Sequence, residues 1–325
     1  MENVWTNCKH LGLLMCESSS ANILFNSEAW HSVTAQDIVG LEKIDEALLR
    51  YLLDCHPKTP LEFLFLESGS IPIKYILSSR RINYLQTILK RDEEELTRRI
   101  LEAQLIQPCS GDFVELVKND LESIGVAFNK AFIQNTGVDV FKCFVKKKIS
   151  AAAHAYLTDK QMSHSKVRDI KYPKLETQPY LTNNLFCDKE TKLITALRSR
   201  MHDGFKNNFS HMHGGRIDCP LNCWSTDDQP CKDSQEHLLL CKTIMQRFNS
   251  TELSENIKYS DLFGENVKKQ KLLATLFTSL LEIKHDIIKE REPADLDPCT
   301  SSSNNLCNGD AIFTPVSIVC PSGIE

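Results

Sequence analysis

Four side chains that bind metals occur at a regular spacing in the C-terminal half of the chain. Cys219 and Cys223 are four residues apart, thirteen residues follow, and His237 and Cys241 are again four residues apart. Cysteine and histidine at such spacings are the ligands of structural zinc ions. Because four protein ligands leave no position for water, the sequence predicts one Zn²⁺ that stabilises the fold and takes no part in a reaction.

The residues around His237 predict how the second pair of ligands is presented. Asp233 is a candidate N-cap with Glu236 at the N3 position, and this capping-box arrangement starts a helix. His237 and Cys241 would then project from one face of that helix. A small zinc module gains about 10–16 kcal/mol of apparent binding free energy from its ion, which is enough to order a segment with few apolar residues.

Other residues compete for a place in this site. Cys231 could replace His237 and give a four-cysteine site, although Pro230 indicates that this cysteine lies at the apex of a loop. His211 and His213 could also bind a metal, but histidines in exposed loops are more often solvated. The alternative to any metal site is a cysteine-rich loop with a surface histidine, which does not explain why the helix start places His237 and Cys241 on the same face.

Apolar residues recur at helical spacing through most of the chain. From Leu41 to Leu52 they fall at intervals of three, four and seven residues, which is typical of one helix face. Further helical patterns cover residues 61–67, 76–90, 93–104, 112–125, 138–157, 190–201 and 267–291, with Thr59, Asp92 and Asp112 as candidate N-caps. The last pattern places Lys284 on the same stripe as several leucines. We therefore predict a mainly α-helical fold with a small irregular insert near Cys219.

Changes in composition divide the chain into five segments. We predict a short first segment at residues 1–40, a helical domain at 41–170, and an extended basic connector at 171–189 that contains two prolines. A zinc-binding domain follows at 190–292, in which a small zinc-ordered module packs with the long C-terminal helix. Residues 293–325 are rich in Ser, Asn, Gly and Pro and are predicted to be a disordered tail.

The cysteines indicate a reducing compartment. The chain has 13 of them, an odd number, and most are scattered singly through helical patterns, unlike the paired framework of a secreted domain. The first residues lack the basic and apolar segments of a signal peptide. No apolar run approaches the roughly 20 residues that span a bilayer. We therefore expect a protein of the cytoplasm or nucleus that does not enter a membrane.

Positive charge is concentrated in the middle of the chain. Residues 142–216 contain fifteen basic and six acidic side chains, so their net charge is +9 against −14 for the remainder. A basic stretch that leads into a zinc module favours binding to the phosphate backbone of RNA or DNA. The alternative is an ordinary solvated basic face. The candidate nucleic-acid contacts are Lys146, Lys147, Lys148, Lys171, Arg198, Arg200 and Lys206.

Motifs of catalytic sites are missing. The chain contains no G-x-x-x-x-G-K-[ST], G-x-G-x-x-G or G-x-S-x-G motif. Asp261, Glu282 and Lys284 resemble the metal-binding residues of a nuclease, but Glu282 and Lys284 are two residues apart on one helix and point in different directions. We therefore predict no catalytic residue and no small-molecule substrate.

Several segments resemble the C-terminal region of reverse transcriptases from non-LTR (LINE-type) retrotransposons. Residues 22–126 are similar to the part that follows the catalytic palm in that family. The matching segments are Leu24–Trp30, Leu41–Glu46, Lys58–Glu62, Ile71–Ile73, Ser79–Leu85 and Gly111–Val114. Thr195–Ser199, Cys219–Cys223, Gln235–Cys241 and Tyr259–Phe263 resemble the later part, which includes a CCHC zinc finger.

The resemblance implies a thumb-like helical domain, a basic connector and a finger that contact template RNA or target DNA. The palm of that family carries the catalytic aspartates, and the similarity begins after it, so we expect no polymerase activity from this chain. Two alternatives remain. The acidic N-terminal helices and the zinc-ordered region could form a protein-interaction module, or the chain could be a truncated retroelement product without a function.

Overall fold

The structure, a computed structural model, describes residues 24, 26–29, 33–206, 208, 217–224, 229–248 and 258–291. The predicted tail at 293–325 lies outside the described residues, as do most of the predicted first segment and the two loop histidines His211 and His213.

The described part of the chain is mainly α-helical and contains no sheet, which confirms the predicted fold class. Short 3-10 helices occur at Ser27–Ala29 and Tyr259–Phe263. The α-helices in chain order are α1 (Ala35–Leu53), α2 (Leu61–Ser68), α3 (Ile73–Leu89), α4 (Leu96–Ile106), α5 (Phe113–Ser123), α6 (Lys130–Asn135), α7 (Val138–Gln161), α8 (Pro179–Thr182), α9 (Asp188–Arg198), α10 (Gln235–Leu238), α11 (Lys242–Arg247) and α12 (Val267–Arg291).

Helix α3 lies at the centre of the N-terminal part. It packs against α1, α4, α5, α6 and α7, while α7 also packs on α2. Their facing side chains are fully buried, among them Phe63, Ile82 and Phe141. In the C-terminal part, α12 packs against α9, α11 and the 3-10 helix Tyr259–Phe263. One continuous apolar core runs from Leu49 to Ile287 and joins the two parts.

The segment predicted as an extended connector is packed against the helical part. Tyr172 and Tyr180 are buried in it, and residues 179–182 form the short helix α8. The backbone N–H of Gln178 donates to the carbonyl of Glu67 at 2.9 Å, and the Thr177 hydroxyl donates to the carbonyl of Ser68 at 2.7 Å. The aromatic side chains of residues 171–189 are therefore part of the core, and the segment does not form a free linker.

Gly69 permits this close packing after α2. Its φ of +69° is a left-handed conformation that glycine adopts without a steric penalty. A Cβ atom at this position would lie 2.3 Å from the backbone nitrogen of Thr177. The end of α2 and the returning chain can approach each other only because residue 69 has no side chain.

The helix starts differ in part from those predicted. Thr34 forms a capping box with Asp37, so α1 begins before Gly40 and the predicted boundary after residue 40 falls within a helix. Asp112 caps α5 as predicted, accepting from the Glu115 N–H at 2.8 Å. Thr59 and Asp92 do not cap, because α2 follows Pro60 and α4 follows Glu95.

No helix within the described residues has the length and apolar content needed to cross a membrane.

Candidate metal centre

The four predicted ligands converge at one point. One ligand atom from each of Cys219, Cys223, His237 and Cys241 lies within 4.8 Å of the others, and the Sγ atoms of Cys223 and Cys241 are 3.3 Å apart. Cys219 and Cys241 are buried, while Cys223 and His237 are half-buried. Among the residues that the structure describes, this is the single Cys, His, Asp or Glu cluster with a geometry suited to a metal ion.

The first two ligands lie on a tight turn. The N–H of Asn222 donates to the carbonyl of Cys219 at 3.0 Å, and Asn222 has a φ of +55°, a left-handed conformation that asparagine tolerates better than most residues. Isolated antiparallel bridges pair Asp218 with Lys232 and Trp224 with Pro230 on either side of this turn. The turn and its bridges place both thiols on the same side of the loop.

Cys231 belongs to the backbone frame of this loop and is not among the four converging ligands. Its carbonyl accepts from the Cys219 N–H at 2.7 Å, and its own N–H donates to the carbonyl of Cys223 at 2.8 Å. Cys231 therefore fixes the positions of the first two ligands through its main chain. The predicted site with His237 is the one that the geometry favours.

The second pair of ligands is presented differently from the prediction. Ser234, not Asp233, is the N-cap of α10, because its Oγ accepts from the His237 N–H at 3.2 Å. Helix α10 ends at Leu238, and Cys241 lies beyond it at the N-cap position of α11. His237 thus comes from one short helix and Cys241 from the residue that precedes the next, so the two ligands do not share one helix face.

The residues predicted to form the capping box have other partners. The carboxylate of Asp233 accepts from the Lys284 ammonium at 2.5 Å and from the Lys206 N–H at 3.0 Å. Glu236 pairs with Arg200 at 2.9 Å. These contacts connect residues far apart in sequence, which is why the local pattern did not reveal them.

The chemistry of the cluster fits a soft divalent cation. The Nε2 atom of His237 is buried without a hydrogen-bond partner, and such an atom is costly unless something satisfies it. Hydrogen bonding with Cys241 lowers the pKa of the Cys219 thiol, and the same contact raises the pKa of Cys241. Three sulfur atoms and one imidazole nitrogen are the donors of tetrahedral structural zinc sites.

Most of the predicted nucleic-acid contacts lie on the surface. Lys146 and Lys147 are exposed on α7, and Lys171 and Lys206 are exposed outside the helices. Lys148 is half-buried, with its ammonium 6.0 Å from the centre of the Phe144 ring. The remaining surface residue, Arg200, is half-exposed but engaged by Glu236.

Arg198 is not a surface residue, which corrects its predicted role. Its side chain is 1% exposed and its Nε donates to Glu67, which is fully buried, at 2.8 Å. Although burial by itself lowers the pKa of Arg198, the charge of Glu67 raises it overall, so the guanidinium stays charged. A side chain enclosed in this way has no access to a phosphate group.

Sequence reasoning also missed a polar cluster that surrounds Glu67. Its carboxylate accepts from the hydroxyls of Tyr172 at 2.6 Å and Tyr180 at 2.8 Å. Burial and the charge of Glu67 raise the pKa of both hydroxyls well above the usual value. The position of Glu67 directly after the apolar run Phe63 to Leu66 was the one signal in the sequence.

The fold and the cluster together define a mainly helical protein with a Cys3His group that could hold a metal ion. No protein-family model, curated protein or solved structure matches this chain. The similarity to retrotransposon reverse transcriptases therefore stays a prediction from the sequence.

Proposed function

We propose that this chain is a zinc-containing protein that binds RNA or DNA and has no catalytic centre of its own. The convergence of Cys219, Cys223, His237 and Cys241 carries the zinc part of the proposal. A closed set of three thiolates and one imidazole suits an ion that orders the loop, because no coordination position remains for a substrate or a reactive water.

The exposed lysines of α7 support the nucleic-acid part. Lys142 and Lys146 are four residues apart and both exposed, so they lie near each other on one side of the helix, and Lys147 extends this basic face. Ammonium groups on a rigid helix can contact successive phosphates without a further cost in backbone ordering. Arg198 takes no part in this surface, and Arg200 is engaged by Glu236.

The resemblance to non-LTR retrotransposon reverse transcriptases agrees with this proposal, since the thumb and finger of that family contact RNA or DNA. Under this proposal the segments named above correspond to the part of such a protein that follows the palm. We propose nucleic-acid binding without polymerisation, in the cytoplasm or the nucleus.

Binding to labelled oligonucleotides tests the proposal. The zinc-loaded full chain is titrated against fluorescent single-stranded RNA, single-stranded DNA and duplex DNA over a range of salt concentrations. We expect affinity to fall steeply with salt, and the Lys146→Glu/Lys147→Glu variant to bind about tenfold or more weakly with a salt slope smaller by about 2.

A matched variant controls for the change in net charge. Lys268→Glu/Lys289→Glu alters two exposed lysines on α12 by the same amount and should leave the salt slope near that of the wild type. Absence of binding by the wild type even at low salt would contradict the proposal. An equal loss in both variants would show that α7 holds no specific contact surface.

Protein binding is a second candidate function, favoured by two apolar side chains beside the cluster. Trp224 is 61% exposed and Leu240 is 75% exposed, and they directly adjoin the ligands Cys223 and Cys241. Exposed tryptophan is enriched at protein interfaces. A stoichiometric protein partner that resists nuclease treatment and is lost with Trp224→Ala would favour this function.

A further inference from the structure

Lys284 is a buried cation on the helix that follows the cluster. Its ammonium donates to the Asp233 carboxylate at 2.5 Å and to the carbonyl of Gly204 at 2.7 Å, and it lies 5.1 Å from the centre of the Phe205 ring. The side chains of Lys284 and Asp233 are 8% and 5% exposed. Since a buried ammonium requires compensation, its partners specify where α12 can pack.

Asp233 connects this cation to both halves of the ligand set. Its backbone N–H donates to the carbonyl of Ile217 at 3.0 Å, two residues before the ligand Cys219. It directly precedes Ser234, the residue that caps the helix of His237. Asp233 thus lies where the segment that leads to Cys219 meets the start of the helix that carries His237.

We propose that Lys284 is a positioning residue of the metal centre. Through Asp233 it fixes the segment before Cys219 relative to the helix of His237, so the affinity for the ion depends on a residue 43 positions after the last ligand, Cys241. The inference rests on the proposed zinc site and adds to it an outer partner that touches no ligand side chain.

The expected size of the effect follows from preorganisation. Outer-shell residues that hold metal ligands in place typically contribute about 10–100-fold to metal affinity. Lys284→Met keeps the length of the side chain but leaves Asp233 buried without its cation, and an unpaired buried charge disturbs its surroundings. The ion alone would then have to order the four ligands. Part of the free energy of zinc binding would be spent on that ordering, and the measured affinity would fall.

Metal affinity of the full chain tests the inference. Zinc affinity is measured by competition with a chromophoric chelator, and the absorption of the Co²⁺-substituted protein reports the ligand set. We expect Lys284→Met and Asp233→Asn each to weaken zinc binding about 10–100-fold with an unchanged Co²⁺ spectrum. The double variant should lose less than the two single losses combined, because it leaves no unpaired charge.

Arg81→Met is the matched control, since it breaks a similarly enclosed pair outside the metal module. Arg81 on α3 holds Asp120 on α5 through two contacts at 2.6 and 2.8 Å. We expect this variant to unfold at a lower temperature while keeping the wild-type zinc affinity.

Three results would overturn the inference. Lys284→Met and Asp233→Asn with wild-type affinity would show that the pair does not position the ligands. An equal loss of affinity in Arg81→Met would assign the effect to general destabilisation. A wild-type chain that binds neither zinc nor Co²⁺ would overturn the zinc site as well, so a failure of the proposed function is distinguishable from a failure of this inference.

Discussion

The helical region at residues 35–198 and the metal module at residues 217–224 and 229–248 are ordered by different forces. In the helical region, long helices bury full-length apolar side chains such as Phe63, Leu77 and Phe141. Apart from two cysteines, the buried apolar side chains of the described module are Leu221, Leu238 and Ile244. The helices of the module have four and six residues, too short to be stable alone. We therefore expect hydrophobic burial to order the first region, and we expect the second to depend in addition on an ion held by its ligand cluster.

Each region contributes to a buried ion pair, and the two pairs differ in the parts of the fold that they join. Glu67 and Arg198 lie inside the continuous apolar core, where two tyrosine hydroxyls also bind the carboxylate. Asp233 and Lys284 instead join the loop of the metal module to α12. The first pair is thus enclosed by packed helices, while the second lies beside a group of side chains that could hold a metal ion.

Removal of the metal is the most direct test of whether the two regions are stabilised differently. With a zinc chelator we expect the amides of residues 217–224 and 229–248 to lose protection in hydrogen exchange, while those of α3 and α7 stay protected. The reason is that an ion contributes about 10–16 kcal/mol to the order of such modules. A chelator already saturated with zinc is the control, and equal protection with and without the ion would contradict the comparison.

Substitution of Glu67 should instead lower the free energy of unfolding of the helical region. Glu67→Gln leaves the charge of Arg198 buried without its partner, and breaking a buried pair costs about 3–5 kcal/mol. Denaturant unfolding followed by circular dichroism measures this loss. Glu95→Gln, which breaks the exposed pair with Arg91, should leave the midpoint close to that of the wild type. Similar midpoints for both variants would show that the buried pair is not required.

Gly69→Ala tests how tightly the connecting segment is packed. Alanine in a left-handed conformation costs about 1–2 kcal/mol, and its Cβ would also collide with the backbone of Thr177, at a further cost of about 1–3 kcal/mol. Gly111 has a φ of +80° and open space around it, so Gly111→Ala should show the first cost alone. Equal unfolding free energies for the two variants would contradict the close approach.

The smallest expected effect is on the pH dependence of stability, and it comes from His202, which lies between the two regions in sequence. Burial lowers the pKa of His202 below its usual value of 6.5, and Gly204 donates its N–H to Nδ1 of this ring at 3.0 Å. The unfolded chain therefore binds a proton at a higher pH than the folded chain does. Stability must consequently decrease as the pH falls below about 6.5.

The pH dependence of denaturant unfolding between pH 7 and 5 measures this contribution. His202→Gln should reduce the slope, whereas His285→Gln, at an exposed position on α12, should not. An identical slope in the wild type and His202→Gln would show that His202 contributes nothing to the acid sensitivity of the fold.

Local signals in the sequence revealed much of the fold. Helical periodicity located α7 and α12, and the cap at Asp112 was correct because an N-cap acts on residues only two or three positions away. The spacing of the four ligands selected the group that the structure brings together. Lys284 was also visible as a charged residue on an apolar stripe, although its partner was not.

These local signals did not predict contacts between residues that are far apart in the sequence. Glu67 and Arg198 are separated by 131 positions, and Asp233 and Lys284 by 51. Periodicity indicates which face of a helix is buried but not which residue it meets. For this reason Arg198 was predicted to contact nucleic acid, and Asp233 was assigned to a cap when its carboxylate binds a lysine of another helix.

The zinc content of the purified full chain tests the central claim most directly. The metal bound per chain is measured for the wild type and for Cys231→Ala and His237→Ala. The account predicts one zinc per chain in the wild type, kept with Cys231→Ala and lost with His237→Ala, because the four converging ligands include His237 and not Cys231. A folded wild-type chain without zinc would contradict it, as would a site that is lost with Cys231→Ala but survives His237→Ala.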